Sequence, residues 1–370
     1  MSTTAGPSMD RDRVRIFDGG MGSTLRDEGL KVQNPLWGTD LIISDPNGVR
    51  KVHQGFLEAG SDLIGTNTYQ LSIEGVQSHF GPSVDLDKTF AKGIQIAHDA
   101  IECQKSSTRL PSHTGIVLSL GSFGSTLGSA QEYTGVYPPP YGLTSRDDDD
   151  ANEECISALQ RWHFERLTTY AKTSEWSSVE WLAFETVPLI NEIIAIRRAM
   201  AQLAANGTAR KKFWIVSAFT DGLFPLPIPD QPRPTPRDIV LAACGPESRG
   251  GSPADGVGIN CTHPQYISGL CRDFTQALVD LAGEGKVKEG ETAMVLYPDG
   301  GKVIDENNQL KKEDMPHQIW AESLANPIKT LKEARDGLGR DVWKQVIVGG
   351  CCESSFAHIK ELRAVVDSLN

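Results

Sequence analysis

Eight short apolar runs recur along the chain with segments of helical periodicity between them, and no other feature constrains the fold as much. The runs are Val14–Phe17, Ser61–Gly65, Ile116–Leu120, Trp181–Phe184, Phe213–Ala218, Val257–Asn260, Met294–Tyr297 and Val346–Val348. Each has the length of a strand, and none alternates apolar with polar residues. Continuous apolar runs of this length are buried on both faces, the pattern of a parallel sheet covered by helices. Helices are predicted over Pro46–Ala59, Leu86–Cys103, the acidic run Asp147–Asp150 through Ala171, Asn191–Ala205, Gln265–Leu281 and Ser354–Leu369. In the first of these, Val49, Val52, Phe56 and Leu57 share one side. Acidic residues opening the third suit the positive end of a helix. Eight strands alternating with helices predict an α/β fold, a (β/α)8 TIM-type barrel, with a doubly wound open sheet as the competing topology. The barrel is expected to be a single domain over residues 14–370, preceded by a disordered tail over 1–13.

Three stretches read as long loops: Gly121–Arg146, Asp221–Arg237 with its six prolines, and the polar Pro298–Met315. Each follows a predicted strand. In a barrel they therefore lie on the C-terminal face, where active sites are built.

The formal net charge of −12 argues against a nucleic-acid partner, which would require clustered Lys and Arg to neutralise phosphates. No run of 18 or more apolar residues exists, so no membrane-spanning helix is expected. Met1–Arg15 is polar and lacks the apolar core of a secretory signal. The expectation is a cytoplasmic protein acting on small molecules, without a membrane or nucleic-acid partner. No separate dimerisation segment is evident, and a monomer is expected.

The seven cysteines are an odd set for a disulfide framework in such a compartment. A lone cysteine at a strand end is more often a small core hydrophobe. Cys103, Cys155, Cys244 and Cys271, all in helical segments, are read that way. Cys261, Cys351 and Cys352 are different. Gly258-Ile259-Asn260-Cys261 ends the sixth strand, and Gly349-Gly350-Cys351-Cys352 ends the eighth. Three thiols from two strand ends on one face form a soft ligand set that suits Zn²⁺ and leaves its fourth tetrahedral position open. Adjacent ligands need a kinked backbone, and Gly349-Gly350 is expected to supply the conformational freedom.

Carboxylates end two other strands. Asp18 precedes the glycine-rich turn Gly19-Gly20-Met21-Gly22, and Glu185 ends the fourth strand. Acids can hold a cation while exposed N–H groups of such a turn hold an anion, a combination suited to the two ends of an amino acid. Thr66 and Asn67, after the second strand, offer hydroxyl and amide groups to the same pocket. Asn260 is placed to orient a ligand or the loop. Trp37, Tyr69, Phe123, Tyr133 and Tyr137 are aromatic candidates for cradling a cation. His263 and His358 could each be a ligand, but with three cysteines available they are read as supporting the ligands from behind or as structural. Two other readings stand beside zinc chemistry: a barrel hydrolase using Asp18 and Glu185 as its acid/base pair, and a non-catalytic zinc- or thiol-binding protein.

These motifs together resemble the homocysteine S-methyltransferases. The anchors are Asp18-Gly19-Gly20, Gly65-Thr66-Asn67-Thr68-Tyr69-Gln70, Glu132-Tyr133-Thr134-Gly135, Phe184-Glu185-Thr186, Gly258-Ile259-Asn260-Cys261 and Gly349-Gly350-Cys351-Cys352. The resemblance spans about Ile16 to His358. It implies Zn²⁺ on Cys261, Cys351 and Cys352, the homocysteine ammonium on Asp18 and Glu185, and its carboxylate at Gly19-Gly20. It further implies a sulfonium methyl donor, S-methylmethionine or S-adenosylmethionine, with methionine as product. No side chain would then be needed as a catalytic base, because zinc deprotonates a coordinating thiol. Glu353-Ser354-Ser355-Phe356 departs from the Gly-Thr-Thr-Pro usual in similar proteins, which puts the start of the last helix in question.

Overall fold

The computed structural model describes residues 13–32, 35–105, 114–128, 130–143, 149–228, 231–247, 251–304, 310–312 and 315–369. Ten strands are present among them: β1 Val14–Ile16, β2 Leu63–Gly65, β3 Gly115–Gly121, β4 Val179–Glu185, β5 Lys212–Ser217, β6 Gly256–Asn260, β7 Ala293–Tyr297, β8 Lys302–Ile304, β9 Leu310–Lys312 and β10 Gln345–Val348. Eight of them form one sheet in the order β1-β10-β7-β6-β5-β4-β3-β2, parallel throughout. A parallel bridge between Phe17 and Leu63 brings β1 back to β2 and closes the barrel. All eight predicted runs are barrel strands. Of the expected tail, residues 1–12 lie outside the described residues, and Arg13 is ion-paired to Asp341 at 2.6 Å.

Burial on both strand faces explains the continuous apolar runs. One face of the strands fills the barrel interior with Phe17, Leu63, Val117, Trp181, Ala183, Trp214, Val216, Val295, Tyr297 and Ile347. The ring of Phe17 meets Trp214 and Tyr297 edge-on at 5.6 and 5.3 Å, so aromatic bodies plug the interior. Residues of opposite parity, such as Leu182, Phe184, Ile215, Val257, Ile259, Leu296 and Val348, pack outward beneath the helices.

Local chemistry sets the helix limits. Pro46–Ala59 starts where the Asp45 carboxylate accepts from the Gly48 N–H, with proline at the first helical position, and stops at Gly60 in the left-handed region. Pro236–Cys244 corrects the reading of Asp221–Arg237 as wholly irregular. Thr235 and Asp238 form a reciprocal capping box around Pro236, so the last prolines of the run start a helix. Helices over Met21–Asp27, Ile73–Phe80 and His317–Glu333 were not predicted. The third carries Pro327 in its interior, which interrupts a helical reading. Pro298–Met315, expected as a loop, contains the antiparallel pair β8–β9, held by backbone bonds that polar residues make as well as apolar ones. No described helix is long and apolar enough to cross a membrane.

Register aligns the strand tips. Glu185 lies opposite Gly121, Asn260 opposite Tyr297, and Val348 opposite both Ile16 and Leu296. The residues that follow these tips therefore emerge at one rim. Backbone contact there is close: a Cβ on Gly349 would sit 2.8 Å from the carbonyl oxygens of Phe17 and Asp18. Gly349 and Gly350 are not in the left-handed region, so close approach explains them, not the conformational freedom expected from sequence. Gly349→Ala is expected to lose about 1–3 kcal/mol of stability, the usual cost of forcing atoms into packed space. A urea midpoint matching the wild type would contradict this.

Candidate functional site

Three sulfurs meet at the rim. The Sγ atoms of Cys261, Cys351 and Cys352 all lie within 4.8 Å of one another. Cys261 and Cys351 are joined as a disulfide, and the Cys352 sulfur is 3.6 Å from that of Cys261. Two thiolates on one tetrahedral zinc, with bonds of ~2.3 Å, stand about 3.8 Å apart. The spacing and softness of the set fit such an ion, provided the Cys261–Cys351 pair is reduced. The four remaining cysteines are in helices. Cys155, Cys244 and Cys271 are buried, but Cys103 is exposed and is not the core hydrophobe expected.

Backbone hydrogen bonds hold the trio. The Cys261 N–H donates to Tyr297 O, the Cys351 N–H to Pro298 O and the Gly300 N–H to Cys352 O. On the other side, the Gly350 N–H donates to Asp18 O and the Gly20 N–H to Ser354 O. The turn after β1, which carries Asp18, is thereby laced to the turn after β10, which carries two cysteines.

Asp18 and Glu185 are both buried. The Asp18 carboxylate accepts from the Gly65 N–H at 2.8 Å. Burial pushes its pKa well above the usual carboxylate range; the Gly65 bond opposes this and the Glu185 charge adds to it. Ser119 Oγ donates to Glu185 at 2.5 Å. Burial pushes Glu185 up to about 7, against the opposing hydrogen bonds from Ser119 and Tyr297. Tyr297 in turn accepts from Trp214 Nε1 at 3.3 Å, so Glu185 is braced from the barrel interior. Two buried acids whose charges oppose each other would be stabilised by a cation between them.

Thr186, which follows Glu185, has φ +56. Positive φ is rare for a β-branched residue and costs about 1–3 kcal/mol. Asn260 supports it from two sides: its Oδ1 accepts from the Thr186 N–H at 3.1 Å, and its Nδ2 donates to Thr186 Oγ1 at 2.7 Å. The same Nδ2 points toward Cys351 Sγ at 4.0 Å. One buried amide thus ties the carboxylate strand to the cysteine strands. Cys261 and Glu353 also have positive φ, 43° and 64°. At Glu353 the strain is offset by two bonds from Arg26 at 2.9 and 2.8 Å and one from its own N–H to Ser23 Oγ. The last helix nonetheless begins with a capping box between Ser355 and His358.

The other sequence candidates divide. The Thr66 hydroxyl pairs with Thr68 Oγ1 at 2.6 Å and accepts from the Ser119 N–H, and Asn67 Nδ2 donates to Gly38 O at 2.9 Å. Both shape the walls. His263 caps the helix Pro264–Gly283. The Tyr133 hydroxyl donates to the Cys352 sulfur, and that of Tyr69 bonds to Thr186. Phe123 and Tyr137 are packed in a separate apolar cluster, and the Trp37 indole covers Gly22. Ser119 and Tyr297 were not singled out from sequence. Tyr297 is the register partner of Asn260, the signal that could have found it.

The homocysteine S-methyltransferase family model matches residues 15–366. Homocysteine S-methyltransferase 1 of Brassica oleracea var. italica is 25% identical over 352 residues, covering 94% of this chain and 91% of that one. Homocysteine S-methyltransferase 4 of Zea mays is 26% identical over 357 residues, covering 95% and 89%. Among solved structures, the metallated form of the homocysteine methyltransferase MmuM from Escherichia coli superposes with a TM-score of 0.65 at 21% identity, covering 96% of this chain and 97% of that one. Its oxidized form gives 0.64 at 22%, covering 95% of each.

Asn260→Ala is expected to cost about 1–3 kcal/mol, because it leaves the buried Thr186 N–H without an acceptor. Thr186→Gly should be less costly in that background than in the wild type, since glycine adopts positive φ freely. Strictly additive losses in urea titrations would show that the two residues do not act together.

Proposed function

Because the chain belongs to the homocysteine S-methyltransferase family and transfers a methyl group to homocysteine, we propose that it does so with Zn²⁺ on Cys261, Cys351 and Cys352 and takes the methyl from a sulfonium donor. The observation that carries this reading is the trio of sulfurs within 4.8 Å at the rim where Asp18 and Glu185 converge. When bound, the ion would supply an ionised, positioned substrate thiol at neutral pH. Family membership sets aside the hydrolase and the non-catalytic reading.

The chain's own residues do the rest. Asp18 and Glu185 hold the substrate ammonium, which replaces the hydration that both carboxylates lose on burial. Of the two glycines, Gly20 already donates to Ser354 O, so the carboxylate contact falls to the Gly19 N–H. Asn260 keeps Glu185 and Cys351 in fixed relation, while Thr66 and Asn67 shape the walls. Tyr69 and Tyr133 border the trio, and aromatic residues there suit a positively charged donor. A sulfonium loses its charge as it gives up methyl to an anionic sulfur, and that neutralisation is favoured where water is excluded. S-methylmethionine and S-adenosylmethionine share this centre.

The test is a donor panel with homocysteine as acceptor, following methionine by mass spectrometry before and after zinc chelation. A sulfonium donor should support turnover that chelation abolishes; turnover indifferent to chelation would refute the zinc reading. Cys352→Ala should lose zinc and activity together.

Ammonium binding needs Glu185 ionised, and in the ligand-free protein this group titrates near 7. The protonated form dominates below that pH, so affinity rises with pH through the window, and Asp18, whose pKa burial also raises, adds to the rise. L-Methionine, whose sulfur does not titrate, should bind up to about tenfold more tightly per pH unit below 7. Glu185→Gln should bind weakly at every pH. Calorimetry showing a flat profile in the wild type would contradict the assignment.

A further inference from the structure

Glu192 lies in the helix Ile190–Ala205, outside the site, and its side chain is fully buried. It makes three hydrogen bonds. Its Oε1 accepts from the Phe123 N–H at 2.6 Å and from His163 Nε2 at 3.0 Å; its Oε2 accepts from the Tyr137 hydroxyl at 2.9 Å. Phe123 and Tyr137 bound the loop after β3. One carboxylate therefore grips both ends of a loop whose middle, Gln131–Thr134, carries Tyr133 to the Cys352 sulfur.

A buried carboxylate is costly unless its oxygens are satisfied and its charge is answered. Here both oxygens are hydrogen-bonded, and the guanidinium of Arg166, itself buried, supplies a nearby positive charge while donating to Gly121 O at 2.8 Å. The packing agrees. Phe123 and Tyr137 sit with Trp162, Leu159 and Leu189 in an apolar cluster separate from the barrel core. The loop's root is fixed independently, by the Ser122 N–H to Glu185 O and the Gly121 N–H to Tyr69 O. Loss of Glu192 would therefore free the part of the loop from Phe123 to Tyr137 and leave the carboxylates of Asp18 and Glu185 where they are.

We infer that Glu192 is a positioning residue for the methyl donor: it pre-orders the loop that presents Tyr133 beside the cysteine trio. This rests on the sulfonium-donor reading above. A loop ordered only part of the time lowers apparent donor affinity by the ordered fraction. The bound complex, once formed, has the same loop, so KM for the donor should rise while kcat holds. Glutamine can keep all three contacts. Its carbonyl oxygen accepts from Phe123 and His163, and its amide donates to the Tyr137 hydroxyl, which can accept as well as donate.

The experiment compares wild type, Glu192→Ala, Glu192→Gln and Tyr137→Phe in zinc content, L-methionine affinity, steady-state kinetics with S-methylmethionine and S-adenosylmethionine, and amide hydrogen exchange over 122–137. Glu192→Ala should raise donor KM by about tenfold or more, as expected when buried donors lose their acceptor, and quicken exchange in the loop. Its zinc content and L-methionine affinity should match wild type. Tyr137→Phe should do the same to a smaller degree, and decides the matter if Glu192→Ala does not fold. Glu192→Gln should restore the wild-type donor KM. Unchanged donor KM and loop exchange in both clamp variants would overturn the inference, as would a uniform loss of zinc, L-methionine and donor binding. Absence of turnover in the wild type with both donors would instead refute the donor reading, and loop exchange would still test the clamp.

Discussion

Backbone hydrogen bonds from Phe17 to Val348, from Gly350 to Asp18 and from Gly20 to Ser354 lace the first strand's turn to the last one's, and the site depends on that seam. The seam brings a carboxylate from the start of the chain against two cysteines from its end. The parallel register of β6 with β7 and of β7 with β10 then adds the third cysteine. Glycines line the seam because carbonyl oxygens occupy the space that a Cβ would need. A cluster of three sulfurs from residues 90 apart in sequence thus follows from barrel closure and small residues, with no dedicated cysteine-rich segment.

The site works against the stability of the fold that holds it. Asp18 and Glu185 are both buried, and burial raises the pKa of both. Thr186, Cys261 and Glu353 adopt backbone conformations that side chains disfavour, each beside a residue of the site. Such strain persists only where the surroundings over-determine it. Asn260 does this for Thr186, and Arg26 with Ser23 for Glu353. The scaffold offsets these costs with a barrel interior of interlocking aromatic rings and an outer layer of apolar packing.

Much of this could be read in the sequence, for physical reasons. Buried parallel strands are continuous apolar runs, so all eight stood out. Helices with an apolar side stood out too, as Pro46–Ala59 did from Val49, Val52, Phe56 and Leu57. The helix at Pro236 was hidden because the prolines of 221–237 outweigh a capping box only a few residues long. The β8–β9 pair was hidden because its ladder uses backbone atoms and leaves little side-chain signature. Cys261, Cys351 and Cys352 were legible as a set from their strand-end positions. Ser119 and Tyr297 were not, since each is an ordinary strand residue whose role depends on what the register places opposite it. Sequence looked to conformational freedom for the glycines before Cys351, whereas Gly349 leaves room for the carbonyls of Phe17 and Asp18 and Gly350 for the Ser354 side chain.

That three thiols form one metal site is the claim on which the rest turns, and thiol accounting tests it most directly. Of the seven cysteines, Cys103 is exposed, Cys155, Cys244 and Cys271 are buried, and the remaining three form the trio. The protein, reduced and loaded with one equivalent of Zn²⁺, should react with a thiol reagent rapidly at Cys103 alone. A chelator should then expose the trio, raising the count from one to four while the fold remains intact. Reaction at all four with zinc present, or zinc retention below one tenth of an equivalent in the reduced protein, would contradict the account.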